Sequence, residues 1–142
     1  MKKFLTLLLI FITGVSAFAA VKQKAGGISD NELAVMSISI DEVTKKIYSG
    51  VFLSPTDTSA LIGIKLKLDD NMLQSPDVRY TPLYYKLGKI YQKRGKRQEA
   101  IECYQTIIEN FPDTALAPKA AYELKNMGIN VVVPQKTIEE EE

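Results

Sequence analysis

A chain of 142 residues is compatible with a single domain, and its formal net charge of +1 makes any charged surface a local asymmetry. It contains no histidine, which excludes imidazole acid–base catalysis, Ser-His and Cys-His nucleophile systems and imidazole metal ligands. With Cys103 as the single cysteine, no intrachain disulfide can form, so stability must come from packing.

The N-terminus reads as a secretory signal peptide over residues 1–19. Lys2 and Lys3 supply the charged start, residues 4–12 an apolar run, and Ala17-Phe18-Ala19 the small residues of a cleavage site, so that the exported chain begins at Ala20. The alternative is a membrane anchor, but the run is shorter than the ~20 residues of a spanning helix. No cysteine follows it to carry a lipid. The expectation is bacterial export to the periplasm or beyond, with no stable membrane anchor after cleavage. Residues 20–28, with Gly26-Gly27, read as a flexible lead-in.

Ser29 opens the first predicted helix, and Glu32 three residues on completes a capping box. Leu33, Met36, Ile40, Val43 and Ile47 make a narrow apolar stripe, and the helix is expected to end near Ser49-Gly50. Ser54-Pro55 marks a second start. Residues 56–73 fit two periods. Leu61, Ile64, Leu68 and Met72 define a helix face, whereas Ile62, Ile64, Leu66 and Leu68 alternate as in a strand. Helix is the preferred reading, because the one partner for a strand is the short Val131-Val132-Val133 run. Residues 29–75 then form a degenerate helical pair. The acidic neighbours Asp41-Glu42 and Asp69-Asp70 diverge on a helix and make no two-carboxylate site, and no glycine-rich phosphate loop is present. The chain is therefore not read as an enzyme. No cofactor or metal site is expected.

Residues 76–128 carry the clearest pattern. Tyr84, Leu87, Gly88 and Tyr91, then Ala100 and Tyr104, then Pro112 fall at the spacings W-x2-L-G-x2-Y, A-x3-F and P, with a large ring kept at both aromatic departures. Tyr84, Leu87 and Tyr91 share a helix face. Gly88 in mid-helix costs about 1 kcal/mol relative to alanine, which implies close approach of a second helix, with Ala100 as the plausible partner. Gly95 ends the first helix and Pro112 the second. Cys103 reads as a small packing residue. Pro76-Asp77 followed by Pro82 recurs as Pro112-Asp113 followed by Pro118, so a final helix, residues 117–127, is expected to close the stack with Ala120, Ala121, Leu124 and Met127 inward and Gly128 as its cap.

These residues resemble the tetratricopeptide-repeat family. The segment FPDTALAPKAAYEL further resembles the repeat junctions of bacterial envelope members, namely the periplasmic Tol-Pal coordinators and the outer-membrane assembly lipoproteins. The resemblance implies an all-α, right-handed superhelical stack of antiparallel helix hairpins that binds other proteins. It also implies that the first helix of the repeat lines a concave groove, placing Tyr85, Lys89, Gln92 and Lys93 at partner-binding positions. Between Arg79 and Arg97 the chain carries Lys86, Lys89, Lys93, Arg94 and Lys96 and no acid. A groove of that charge suits an acidic peptide segment, the alternative being a solvated basic face. Nucleic acid is not expected, since no aromatic ladder accompanies the charges. Residues 129–142 end in Glu139–Glu142 and read as a solvated acidic tail, or else as a weak pseudo-ligand of the basic groove. The function expected is an exported adaptor; the alternative is a structural subunit that self-associates as a homo-oligomer.

Overall fold

The computed structural model describes residues 27–133; the expected signal peptide, most of the lead-in and the acidic end of the tail lie outside the described residues. The described chain forms five α-helices and no strand: α1 (Asp30–Tyr48), α2 (Pro55–Gln74), α3 (Thr81–Lys93), α4 (Arg97–Asn110) and α5 (Leu116–Asn126), with a 3-10 turn at Val78–Tyr80 before α3.

The helices start where their caps dictate. Glu32 N–H donates to Ser29 Oγ (3.4 Å) and Ser29 N–H donates to the Glu32 carboxylate (3.2 Å), closing the first box. A second box opens α2. There Asp57 N–H donates to Ser54 Oγ (3.0 Å) and Ser54 N–H to Asp57 Oδ2 (2.9 Å), with Pro55 at the position that needs no N–H partner. Gly95, at φ 70°, terminates α3 in a conformation that side chains resist, and Lys96 N–H reaches back to the Tyr91 carbonyl (2.8 Å).

The helical reading of residues 56–73 holds, and the strand alternative does not. Leu61, Leu68 and Met72 are buried and Ile64 is half-buried, whereas Ile62 and Leu66, which the strand period grouped with them, are exposed. One face of α2 packs, and the extra apolar residues belong to a cleft beside it.

Contacts fix the layout. Lys67 meets Glu32 (2.7 Å) and Lys46 meets Asp57 (2.7 Å), so α1 and α2 are antiparallel. Lys86 meets Asp41 (2.8 Å) and Lys93 lies over the Tyr48 ring (5.8 Å), so α1 and α3 run the same way. Lys89 meets Glu123 (2.9 Å) and Arg97 donates to the Met127 carbonyl (2.6 Å), which aligns α5 with α3. Helices α1, α3 and α5 therefore form one layer, and α2 and α4 lie behind it.

The α3–α4 hairpin is the tightest contact. An ideal Cβ on Gly88 would lie 2.6 Å from the Tyr104 ring. The close approach expected at Gly88 is present, but its partner is Tyr104 and not Ala100. Both tyrosines that stand at the pattern's aromatic places are buried with their hydroxyls satisfied: Tyr84 Oη donates to Asp69 (2.8 Å) and Tyr104 Oη to Gln92 (3.0 Å). Leu87, Tyr91 and Ala100 complete the core, Pro112 follows the end of α4, and burial pushes the Cys103 thiol up to about 12, as befits a packing residue.

Two expectations at the ends need correction, and the inward face of the last helix is larger than expected. Ile28, placed in the lead-in, is buried, and its N–H donates to Tyr80 Oη (3.2 Å). On α5, Ala120 and Leu124 are buried, and Ala121 and the capping Met127 pack half-buried against the core, as expected; Ala117 and Glu123 are buried beside them. Beyond Gly128, Ile129, Val131 and Val133 pack half-buried against the core, so the chain does not leave the fold at residue 129.

Candidate functional site

Between α1 and α3 lies a cleft of about 250 Å³. Asp41, Thr44 and Tyr48 come from α1, and Tyr85, Lys86, Lys89 and Lys93 from α3; steps of three or four, with Lys86 directly after Tyr85, put each set along one side. Tyr85, Lys89 and Lys93 are thus brought together. Gln92 is not among the lining residues; its Oε1 accepts the Tyr104 hydroxyl and braces the hairpin.

The lysines of this cleft differ in what they face. Lys86 donates to Asp41 (3.0 Å) and to Ser37 (3.0 Å). Lys89 is engaged by Glu123, a buried carboxylate on α5, and this hydrogen bond holds the Lys89 ammonium above its ordinary range despite partial burial. Burial, together with the Glu123 charge, also raises the Tyr85 phenol. Lys93 has no carboxylate partner among the described residues and rests on the Tyr48 ring. Outside the cleft, Arg79 pairs with Asp77 (2.5 Å) and with Asp30. Within the acid-free stretch, Arg79, Lys86 and Lys89 are therefore answered by carboxylates from outside it, and Lys93 is the cleft lysine left to meet a new anion.

Sequence reasoning missed Glu123 and Tyr48. Glu123 carried a usable signal: it sits three residues after Ala120 and six after Ala117, on the buried stripe of a helix where an acid needs a partner. Tyr48, in the last turn of α1, carried none.

A second cleft of about 250 Å³ lies between α2 and the α3–α4 hairpin, lined in part by Ile62, Leu66, Tyr91, Arg94 and Glu102. Its Lys65 already bridges Asp69 (2.8 Å) and Glu102 (3.3 Å), and Arg94 and Lys96 share its wall with the carboxylates Glu99 and Glu102, so its lining is mixed in charge where that of the α1–α3 cleft is mainly basic. The α1–α3 cleft is the better candidate.

A buried helical hairpin with satisfied tyrosines, flanked on each side by further helices, has the form of a helical repeat. Residues 83–114 match the family model described as tetratricopeptide repeat, and the α3–α4 hairpin is one such repeat. No curated protein and no solved structure matches the sequence. Tetratricopeptide repeats generally mediate protein–protein interaction, and that is the coarse function the match supports.

Proposed function

We propose that the protein is an exported adaptor of the bacterial cell envelope that holds a segment of another protein in the α1–α3 cleft. The observation that carries this reading is the pairing in one cleft of two aromatic side chains, Tyr48 and Tyr85, with Lys93, a cation without a carboxylate partner among the described residues. Aromatic faces receive the apolar parts of a peptide, and the ammonium receives an acidic side chain. The preferred partner segment is acidic, and it need not break the Lys89–Glu123 pair to bind. In this reading the helical pairs continue as a right-handed superhelical stack with α1 and α3 on its concave side. Export rests on the sequence of residues 1–19 alone.

The test is a titration with a synthetic acidic peptide followed by calorimetry. Binding should weaken as salt rises past about 0.15 M, where the Debye length falls to about 8 Å. Lys93→Glu should abolish it with the fold unchanged. Equal affinity for both proteins would overturn the reading of the cleft. Cell fractionation, with N-terminal sequencing to look for a chain beginning at Ala20, tests export.

A second reading, self-association of a structural subunit, has one supporting observation. The outer side of α5 exposes Tyr122 (63%) and, beside it, Val132 (88%), where a further helix of a stack would pack. A mass that rises with concentration and falls back for Tyr122→Ser would favour it.

A further inference from the structure

The loop between α1 and α2 carries an apolar tip that the fold does not use. Phe52 is 97% exposed, its neighbour Val51 is 55% exposed, and Tyr48, at the end of α1, is 64% exposed. A large ring left wholly in water next to two other exposed apolar side chains is a signal of a docking surface.

The surroundings of that tip are basic. Because α1, α3 and α5 run the same way, their C-terminal ends share one end of the molecule. Three contacts tie that end together: Tyr48 with Lys93, Thr58 with Arg94, and Met127 with Arg97. Gathered there are Lys45, Lys93, Lys96, Arg97 and Lys125, none of which pairs with a carboxylate among the described residues. The carboxylates in the adjoining first turns are Asp57, already engaged by Lys46, and Glu99. The opposite end carries Asp30, Glu32, Asp70, Asp77, Glu109 and Asp113 against Lys67, Arg79 and Lys119, an acidic excess that makes the bundle electrically polar along its length.

Helix capping does not account for this. Lysines in the last turns of α1, α3 and α5 do complement the helix dipoles. Lys96 and Arg97, however, stand at the N-terminus of α4, where a positive charge opposes the dipole and where no side chain caps the helix. Local stability would favour an acid or a serine there.

We infer that this end of the bundle is a docking surface for an anionic lipid bilayer, with Phe52 and Val51 inserting at the interface and the surrounding lysines and arginines meeting lipid phosphates. The shape selects the occupant. The tip is convex, and a convex apolar tip with a collar of cations suits a soft, anionic, planar surface, in which the ring reaches the acyl boundary while the cationic heads stay at the headgroups. An acidic peptide would need a groove, and the groove lies on the side of the bundle, between α1 and α3. No described helix is long and apolar enough to cross a membrane, and the proposed contact is adsorption at the surface. It shares Tyr48 and Lys93 with the rim of the peptide cleft, whereas Phe52, Val51, Lys45, Lys96 and Arg97 are not among that cleft's lining residues.

The chain has no tryptophan, which makes Phe52→Trp a unique reporter. Its emission should shift to the blue on addition of vesicles of phosphatidylcholine with one part in three phosphatidylglycerol, and should not shift with pure phosphatidylcholine. In co-sedimentation, Phe52→Ser should lower the partition of the full chain into anionic vesicles by about tenfold, the loss of one inserted ring. The variant pair Lys45→Glu, Lys96→Glu should lower it further and remove its salt dependence. Phe52 has almost no buried contact, so both readouts come from a folded protein, checked by circular dichroism. An emission spectrum of the Phe52→Trp variant that anionic vesicles leave unshifted overturns the inference. So does equal partition into neutral and anionic vesicles, or equal partition of wild type and Phe52→Ser. A Phe52-dependent rise in mass without lipid also overturns it, since that would make the tip an interface between two copies of this chain.

Discussion

Replacing Gly88 by alanine sets two opposing effects against each other, and the geometry says which wins. Alanine in mid-helix is favoured over glycine by about 1 kcal/mol. Against that, the new methyl would lie 2.6, 2.8 and 3.0 Å from Cε1, Cζ and Cδ1 of Tyr104. Ordinary carbon contacts are about 3.5–4.0 Å, so the ring or the helix must give by about 1 Å. The ring has little freedom: it is fully buried, its hydroxyl is tied to Gln92 at 3.0 Å, and it packs against Tyr85 with centroids 5.8 Å apart. Overpacking of this kind costs about 1–3 kcal/mol, and the strain here belongs at the upper end. The net expectation is a loss of about 1–2 kcal/mol, or roughly 4–15 °C in Tm for a domain of this size. Gly88→Leu should lose more. The decisive comparison repeats Gly88→Ala in a Tyr104→Leu background, where the two nearest ring atoms are gone. There the destabilisation should fall to near zero or change sign, read as a coupling free energy in urea denaturation. A Gly88→Ala effect of the same size in both backgrounds, or a stabilised single variant, would refute the claim that the ring sets the limit.

Charge reversal at two neighbouring lysines should separate structure from surface. Lys89→Glu sets a second carboxylate against buried Glu123 and should cost about 1–2 kcal/mol, a figure reduced for the partial exposure of Lys89, whereas Lys93→Glu should stay within about 0.5 kcal/mol; equal urea midpoints would contradict the pairing. Lys46 and the Ser54 cap hold the Asp57 carboxyl down to about 2. A depressed carboxyl stabilises the fold above its ordinary value of about 4 and loses that contribution as pH falls through the folded value. Asp57→Asn should therefore be less stable than wild type at neutral pH, and the gap should close between about pH 4 and pH 2 in thermal melts; a gap that is constant over that window would sink the assignment.

The helices were legible because their signals are local. Ser29 with Glu32 and Ser54 with Pro55 mark starts, Gly95 marks a stop, and each needs only residues within a turn of itself. The stripe Tyr84, Leu87, Gly88, Tyr91 was legible for the same reason. Residues 56–73 were ambiguous for a physical cause: α2 packs one face and also borders a cleft, so Ile62 and Leu66 add apolar residues beyond the packed stripe. The partner of Gly88 is not legible locally, because small size at Ala100 is no sign of close approach here. The helices instead seat a flat ring against the missing side chain.

The candidate site was legible only in part, since its electrostatics are not local. From Arg79 to Arg97 the sequence shows cations without an acid, yet Lys86 is answered from α1, 45 residues away, and Lys89 from α5, 34 residues away. A local charge run states what one element presents, and tertiary pairing decides how much of it remains for a partner. That distinction changes how binding must be tested. The pair Lys89→Glu, Lys93→Glu would confound lost binding with a loosened α5, because Lys89 anchors that helix through Glu123. Lys93 alone has the freedom the binding argument needs. By the same reasoning, the cations least explained by pairing, Lys45, Lys96 and Arg97, lie around Phe52 at the end of the bundle and outside the cleft. A chain with two unspent positive surfaces, one concave beside tyrosines and one convex beside an exposed phenylalanine, is built to meet two different kinds of anion; a change at Phe52 should remove the lipid contact and leave peptide binding intact, and a change at Lys93, which borders both, should abolish peptide binding and only weaken the lipid contact.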